Sequence, residues 1–373
     1  MSTPSAPTPS TPEIITTAAE MRVWSRRQRL AGKRVGFVPT MVISMKRRAK
    51  KFFRLACFSF LPIDRSISFS QPRPPLLSSA SNLQGCLHAG HLSLVDLART
   101  KADVVVVSIY VNPTQFAANE DFGRYPRTRE RDRSLLAERG VEAVFEPETL
   151  YHRSTDSNDD NANVVGTAAE ESDDAHDTFV VVERLSRGLC SLSRPHFFRG
   201  VATVVAKLFN VVEPDVSVFG EKDWQQLAIV RRMARDLDFA VKVLGGEIVR
   251  ESDGLALSSR NELLTAGDRR RAPCIYAALK EAKKMVSGSP SVTAGEVAGV
   301  VKTRIEAACD GGFSPPPPPP PPKVDYVSVV DADSLSPVPD DVAISSRKGR
   351  RTLVAVAAFF GEVRLIDNMV VAG

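Results

Sequence analysis

The 373-residue sequence predicts an α/β fold: a doubly wound parallel sheet followed by a smaller C-terminal α+β domain. Three observations lead there. Strand-like and helix-like runs alternate up to residue 248. One of them, Ala102-Asp103-Val104-Val105-Val106-Val107-Ser108-Ile109-Tyr110-Val111, is almost continuously apolar and β-branched, as in a parallel strand covered on both faces. From Ile248 onward the alternation gives way to helical stretches and then to three strand-like runs. The reading divides the chain into residues 1–248 and 249–373, the second a lid-like domain.

Taken in order, residues 13–31 read as a helix, with Ile14, Ile15, Ala18, Met21 and Trp24 facing inward and Gly32 ending it. Arg34–Met41 reads as a buried strand stopped by Pro39. Residues 42–84 have no sustained period and are far longer than the ~2–6 residues usual between α/β elements. They read as an insertion foreign to the fold, for example translated intron sequence. A helix starts at His91, and the β-branched strand follows it. Arg127–Gly140 reads as a helix and Val141–Phe145 as a strand. Residues 151–177 set eight acidic residues against Arg153 alone and read as a second insertion, a mobile surface loop. The fold resumes at Thr178. Val201–Val212 is expected to be helical and Val216–Phe219 a strand, after which Gly220–Gln226 leads into a helix and Val241–Leu244 reads as a strand. In the second part, Asp268–Val286 and Ala294–Ala308 read as helices. Pro315–Pro322 lies in a Pro-rich loop at 313–323 and reads as a polyproline II spacer. Tyr326–Val330, Leu353–Phe360 and Val363–Leu365 read as strands of a small mixed C-terminal domain.

Composition narrows the class of function. With 43% hydrophobic and 25% charged residues the chain can bury a large core. The net charge of +5 invites a nucleic-acid reading, but residues 42–84 hold eight basic residues against Asp64, and the remainder is slightly acidic. No nucleic-acid partner is therefore expected. Five cysteines, Cys57, Cys86, Cys190, Cys274 and Cys309, lack a CxxC pair, so reduced thiols are expected, with no zinc site and no disulfide framework. No apolar run reaches the ~18 residues of a membrane span, and Met1–Pro12 lacks the features of a secretory signal.

The chemistry centres on Gly85-Cys86-Leu87-His88-Ala89-Gly90-His91, which opens the amphipathic run ending at Arg99. On a helix, His88 and His91 fall one turn apart at its N-terminus, where free N–H groups and the helix dipole attract phosphate. Two half-buried histidines or an i, i+3 metal pair would have the same spacing. Polar motifs also follow other strands, where ligands of doubly wound sheets bind: Asn112-Pro113-Thr114-Gln115-Phe116 and Gly220-Glu221-Lys222-Asp223-Trp224-Gln225-Gln226. The fold is Rossmann-like, yet neither GxGxxG nor a Walker A motif occurs.

Val38-Pro39-Thr40-Met41 followed by Gly85-x-Leu87-His88-x-Gly90-His91 resembles the signature of the pantothenate synthetase (pantoate–β-alanine ligase) family of HxGH nucleotidyltransferases. In that family the two halves are contiguous, and excising 42–84 restores the spacing. The Asn112–Phe116, Phe219–Gln226 and Leu257-Ser258-Ser259-Arg260-Asn261 motifs follow in the family's order. The resemblance implies that ATP and pantoate form pantoyl adenylate and pyrophosphate, and that β-alanine then displaces AMP to give pantothenate. It implies catalytic roles for His91, His88, Lys222 and Arg260. His91 would be the proton donor and Lys222 a point charge on the phosphates, with Arg260, Ser258 and Ser259 clamping the leaving pyrophosphate. Pro39, Met41, Gly220, Asp223, Val249 and Leu257 would complete the ATP site, Asp223 meeting ribose or a metal-bound water. Gln115 and Gln226 would bind pantoate. Magnesium would arrive with ATP, with no dedicated protein metal site. A cytoplasmic homodimer without membrane partners is implied as well. Read singly, these residues have plainer roles: Lys222 as a solvated lysine, Ser258 and Ser259 as helix caps, each glutamine as a backbone tie. Another HxGH nucleotidyltransferase, or a form inactivated by residues 42–84, remains an alternative.

Overall fold

In a computed structural model, residues 11–41, 87–110, 112, 129–151, 176–309 and 320–373 are described. The two insertions fall largely outside them, as do most of the proline run and the 113–116 part of the Asn112 motif.

Six strands form one parallel sheet: β1 (Glu13–Ile15), β2 (Val35–Met41), β3 (Val104–Tyr110), β4 (Ala143–Phe145), β5 (Val216–Gly220) and β6 (Lys242–Gly246). Their spatial order is β1-β4-β3-β2-β5-β6. The chain leaves β2 outward through β3 and β4, then returns to β5 on its other side. The topological switch therefore lies between the C-terminal ends of β2 and β5.

Helices cover both faces. α2 (Ala89–Arg99) and α3 (Arg129–Glu138) pack on Val105, Val107 and Ile109. α1 (Ala18–Leu30), α4 (Phe197–Val212) and α5 (Trp224–Asp236) pack on the alternate residues Val104 and Val106. Every residue of β3 is buried, as its continuous apolar sequence demands.

The expected helix at 13–31 divides. Glu13–Ile15 pairs in parallel with β4 at the sheet edge, and the helix starts only where Thr17 and Glu20 form a capping box. Met21 and Trp24 face the core as expected, and Gly32 lies just past the helix at φ +73°. Pro39 does not stop its strand. The Val35 amide and carbonyl both bond Asp215, so odd-numbered residues of β2 turn toward β5, whose ladder ends at Phe37. Pro39 therefore loses no ladder bond, while β2 stays paired with β3 through Met41.

The second part has the small α+β arrangement expected, with an antiparallel sheet of β7 (Lys323–Asp331), β8 (Thr352–Phe360) and β9 (Val363–Ala372) in that order. The stretch 268–286 breaks at Pro273 into α6 (Ala266–Arg271) and α7 (Cys274–Gly288), because proline cannot donate the bond a continuous helix needs. α7 and α8 (Ala294–Glu306) cover Val354, Val356, Ala358 and Phe360 on one face of β8. Leu353 and Ala355 on the other face join the core of the first sheet, where Trp224 Nε1 donates to the Ala332 carbonyl at 2.7 Å.

Candidate functional site

The histidine turn is built by its own hydrogen bonds. His88 stands in extended conformation as the N-cap of α2, and its Nδ1 accepts from the Gly90 amide at 3.1 Å. His91 Nδ1 accepts from the His88 amide at 3.4 Å, so two imidazoles make the reciprocal bonds of a capping box. The rings stack with centroids 4.0 Å apart. A Cβ on residue 90 would lie 2.9 Å from His88 Cε1, which is why glycine stands there. The Leu87 amide, donating to Asp132 Oδ1 at 3.3 Å, ties the entry of the turn to α3.

Because each Nδ1 is an acceptor, each neutral imidazole carries its proton on Nε2. Both are neutral near pH 7. Burial is the main reason, lowering His88 to about 4 and His91 to about 3. For His88 the Lys222 ammonium adds to the effect, and for His91 the His88 ring and then Lys222 do so.

Lys222 is on the 3-10 turn Glu221–Asp223 that follows β5, across the switch point from the histidines. Its side chain is only 17% exposed, and Nζ lies 3.9 Å from Asp223 Oδ2. It is not a solvated lysine. Gly245, at the end of β6, makes room for Glu221, whose carboxylate would be 2.6 Å from a Cβ there. Gly220 needs no such room: a Cβ there would meet Leu94 at an ordinary 3.9 Å.

The linker after β6 folds back over this ground. The Leu257 amide donates to the Val249 carbonyl at 2.9 Å, and Leu257 Cβ lies 4.0 Å from where a Gly90 Cβ would stand. Ser258 does what a cap does, its Oγ accepting from the Arg260 amide at 3.3 Å, while its hydroxyl proton stays available to donate. Arg260 forms no ion pair among the described residues. A small cavity is lined by Lys222, Ser258, Arg260, Asn261, Tyr276 and Asp367, among others. The structure thus brings Lys222, Ser258 and Arg260 to one cavity, with the histidines beside Lys222.

The two glutamines of the second motif separate cleanly. Gln225 is 5% exposed, donates to the Leu185 carbonyl at 2.9 Å and accepts from the Cys190 amide at 3.1 Å. It is structural. Gln226 is half-buried, and its side-chain amide has no hydrogen-bond partner among the described residues. Asn112 is structural too, joining the Gly200 carbonyl to the Tyr151 hydroxyl. Pro39 and Met41 end β2 beside the switch point. Gln115 lies outside the described residues, as does the Met41 side chain. Asp367 and Asn368 of β9 reach the same region without any sequence motif to mark them.

Among the described residues no cluster of three or more His, Cys, Asp or Glu could hold a metal, and no helix is long and apolar enough to cross a membrane. Cys190, Cys274 and Cys309 are free.

Comparison with known proteins agrees with this layout. A family model described as pantoate-beta-alanine ligase matches residues 82–370, beginning just before the histidine turn. The pantoate–beta-alanine ligase of Oryza sativa subsp. japonica is 40% identical over 367 residues, covering 97% of each chain. The pantothenate synthetase of Sphingopyxis alaskensis is 47% identical over 285 residues, 76% of this chain and 88% of its own. The crystal structure of pantothenate synthetase from Thermus thermophilus superposes with a TM-score of 0.66 at 35% identity, covering 97% of this chain and all of that one.

Proposed function

The chain belongs to the pantoate–β-alanine ligase family, and from that premise we propose that the switch-point site makes pantothenate through an adenylate, with His88, His91, Lys222 and Arg260 as the working residues. The enzyme is a ligase joining pantoate to β-alanine. The observation that carries the site assignment is the convergence of two neutral Nε2–H donors, a nearly buried ammonium and a guanidinium outside any described ion pair, between β2, β5 and the folded-back linker.

In the first step a pantoate carboxylate oxygen attacks the α-phosphorus of ATP, and the bond to the β-phosphate bridge breaks, releasing pyrophosphate. In-line attack at phosphorus asks for positioning and for charge set where negative charge grows, not for a protein nucleophile. Lys222 supplies a compact charge and Arg260 a forked donor for the departing phosphates. The histidines donate hydrogen bonds from neutral rings. That replaces ionic proton donation by His91, which its depressed basicity disfavours before phosphate arrives. Ser258 and Ser259 flank Arg260 as further donors. Pro39, Met41, Gly220, Val249 and Leu257 shape the nucleotide pocket. Gln226 and Gln115 hold pantoate through uncharged amides that do not compete with its carboxylate. In the second step the free amine of β-alanine attacks the acyl carbon, the amide forms, and the acyl–phosphate bond breaks to release AMP.

Magnesium would enter the site with ATP. Asp223, half exposed beside Lys222, is the carboxylate that would help to hold such an ion. When bound, the ion neutralises phosphate charge. A homodimer in the cytoplasm is part of this proposal, and sedimentation velocity checks the first. Formation of pantothenate from ATP, pantoate and β-alanine, with one AMP released per product, tests the reaction itself. ATP hydrolysis without amide formation would refute it.

A further inference from the structure

The turn carrying Lys222 is held from the C-terminal sheet. Asn368, 5% exposed on β9, donates both protons of its side-chain amide, one to the Glu221 carbonyl and one to the Lys222 carbonyl, each at 2.9 Å. Its backbone amide donates to Asp367 Oδ1 at 2.8 Å. The Asp367 carboxylate also takes two bonds from Arg250, at 2.6 and 3.0 Å. Arg250 lies over the Tyr276 ring of α7, 3.9 Å from its centroid. Asp367 and Asn368 are both buried, so these bonds are not readily exchanged for water. An amide is the side chain that suits two neighbouring carbonyls. A carboxylate would oppose them with acceptors, and leucine would leave both unpaired.

We infer that Asn368 is a positioning residue for phosphate transfer: it fixes the backbone from which Lys222 reaches the histidines and the cavity. No motif of the first domain contains it, and it touches no group assigned to the reacting atoms. Its effect passes through Lys222, so the inference rests on the role given to Lys222 above.

That dependence sets the test. The full-length enzyme is compared with Asn368→Leu, Asn368→Ser, Lys222→Met and the Asn368→Leu/Lys222→Met double variant. Pantoate-dependent pyrophosphate–ATP exchange is measured at saturating substrate, with thermal melting alongside. Asn368→Leu is expected to lose about 10- to 100-fold in kcat, as small misplacements at a reacting centre do. Its KM for pantoate should stay within about twofold, because uniform binding is untouched. Asn368→Ser, which keeps one donor, should recover part of the loss. The double variant should be no slower than Lys222→Met alone, since removing the ammonium leaves nothing to position. A purely structural asparagine would give losses that multiply. Wild-type kcat in Asn368→Leu, or multiplied losses in the double variant, overturns the inference while the Lys222 assignment stands. If Asn368→Leu does not fold, wild-type kcat in Asn368→Ser overturns it equally. Full exchange by Lys222→Met defeats the Lys222 assignment, and this inference with it.

Discussion

Gly90→Ala should separate the precision of the histidine turn from its stability. The new Cβ would stand 2.9 Å from His88 Cε1 and 3.0 Å from Nδ1. An unstrained carbon contact needs about 3.5 Å, so the imidazole must retreat by roughly half an ångström. That movement loosens the 3.1 Å bond from the Gly90 amide and disturbs the 4.0 Å stack on His91. The stability effects oppose one another. Losing the cap bond costs about 1 kcal/mol, and replacing glycine by alanine within a helix returns about 0.5–1 kcal/mol. The melting temperature should therefore move by no more than about 3 °C. Activity has no such compensation. If 1 Å of misplacement costs ~10²-fold, half of that costs about tenfold in kcat for pyrophosphate exchange. Exchange kinetics and a thermal melt on the same preparation decide the matter. Full activity at unchanged melting temperature would refute the idea that the turn holds His88 to sub-ångström tolerance.

Further outcomes follow from the same geometry. His88 and His91, lowered to about 4 and about 3 from an ordinary 6.5, should stay neutral at pH 5 in the free enzyme by NMR titration. The unfolded chain takes up these protons first as pH falls, so the pair should erode stability from pH 6.5 downward to about 3. A melting temperature independent of pH between 7 and 5, with both histidines charged at pH 5, would contradict this. Gln226→Ala should raise the pantoate KM, at a cost of about 1–3 kcal/mol, and leave the fold intact. Gln225→Ala should instead lower stability by about 2–4 kcal/mol, by stranding the Leu185 carbonyl and Cys190 amide. The reverse pattern would mean that the two glutamines are misassigned. Joining Met41 directly to Gly85 should preserve the fold, because loop closure depends only logarithmically on length. The shortened enzyme should form more pantothenate per folded molecule. An inactive short form beside an active full-length chain would show that residues 42–84 belong to the working enzyme.

What the sequence made legible was local. The β-branched run of β3 announces a strand buried on both faces, and the glycine between the histidines announces a turn where an imidazole comes too close for a Cβ. Lys222 was findable because its motif follows a strand. Other features depend on partners distant in the chain. Glu13–Ile15 is a strand only because β4 offers an edge to pair with, and three residues carry no period of their own. Pro39 sits inside a central strand because β5 departs after Phe37. Gln225 and Gln226 are neighbours of one residue type, and only burial tells the structural one from the one left available. Asn368 lies in a strand with no motif around it, and nothing short of the fold brings it to the Lys222 turn. Pro273 was the exception, a visible break inside a stretch read as one helix.

Pantoate-dependent exchange of labelled pyrophosphate into ATP by His91→Ala and Lys222→Ala tests the site most directly, because it reports adenylate formation without β-alanine. Each variant should melt as a folded protein and lose at least ~10²-fold in exchange rate. A folded variant of either kind that exchanges at the wild-type rate would contradict the placement of phosphate transfer between the histidine turn and Lys222.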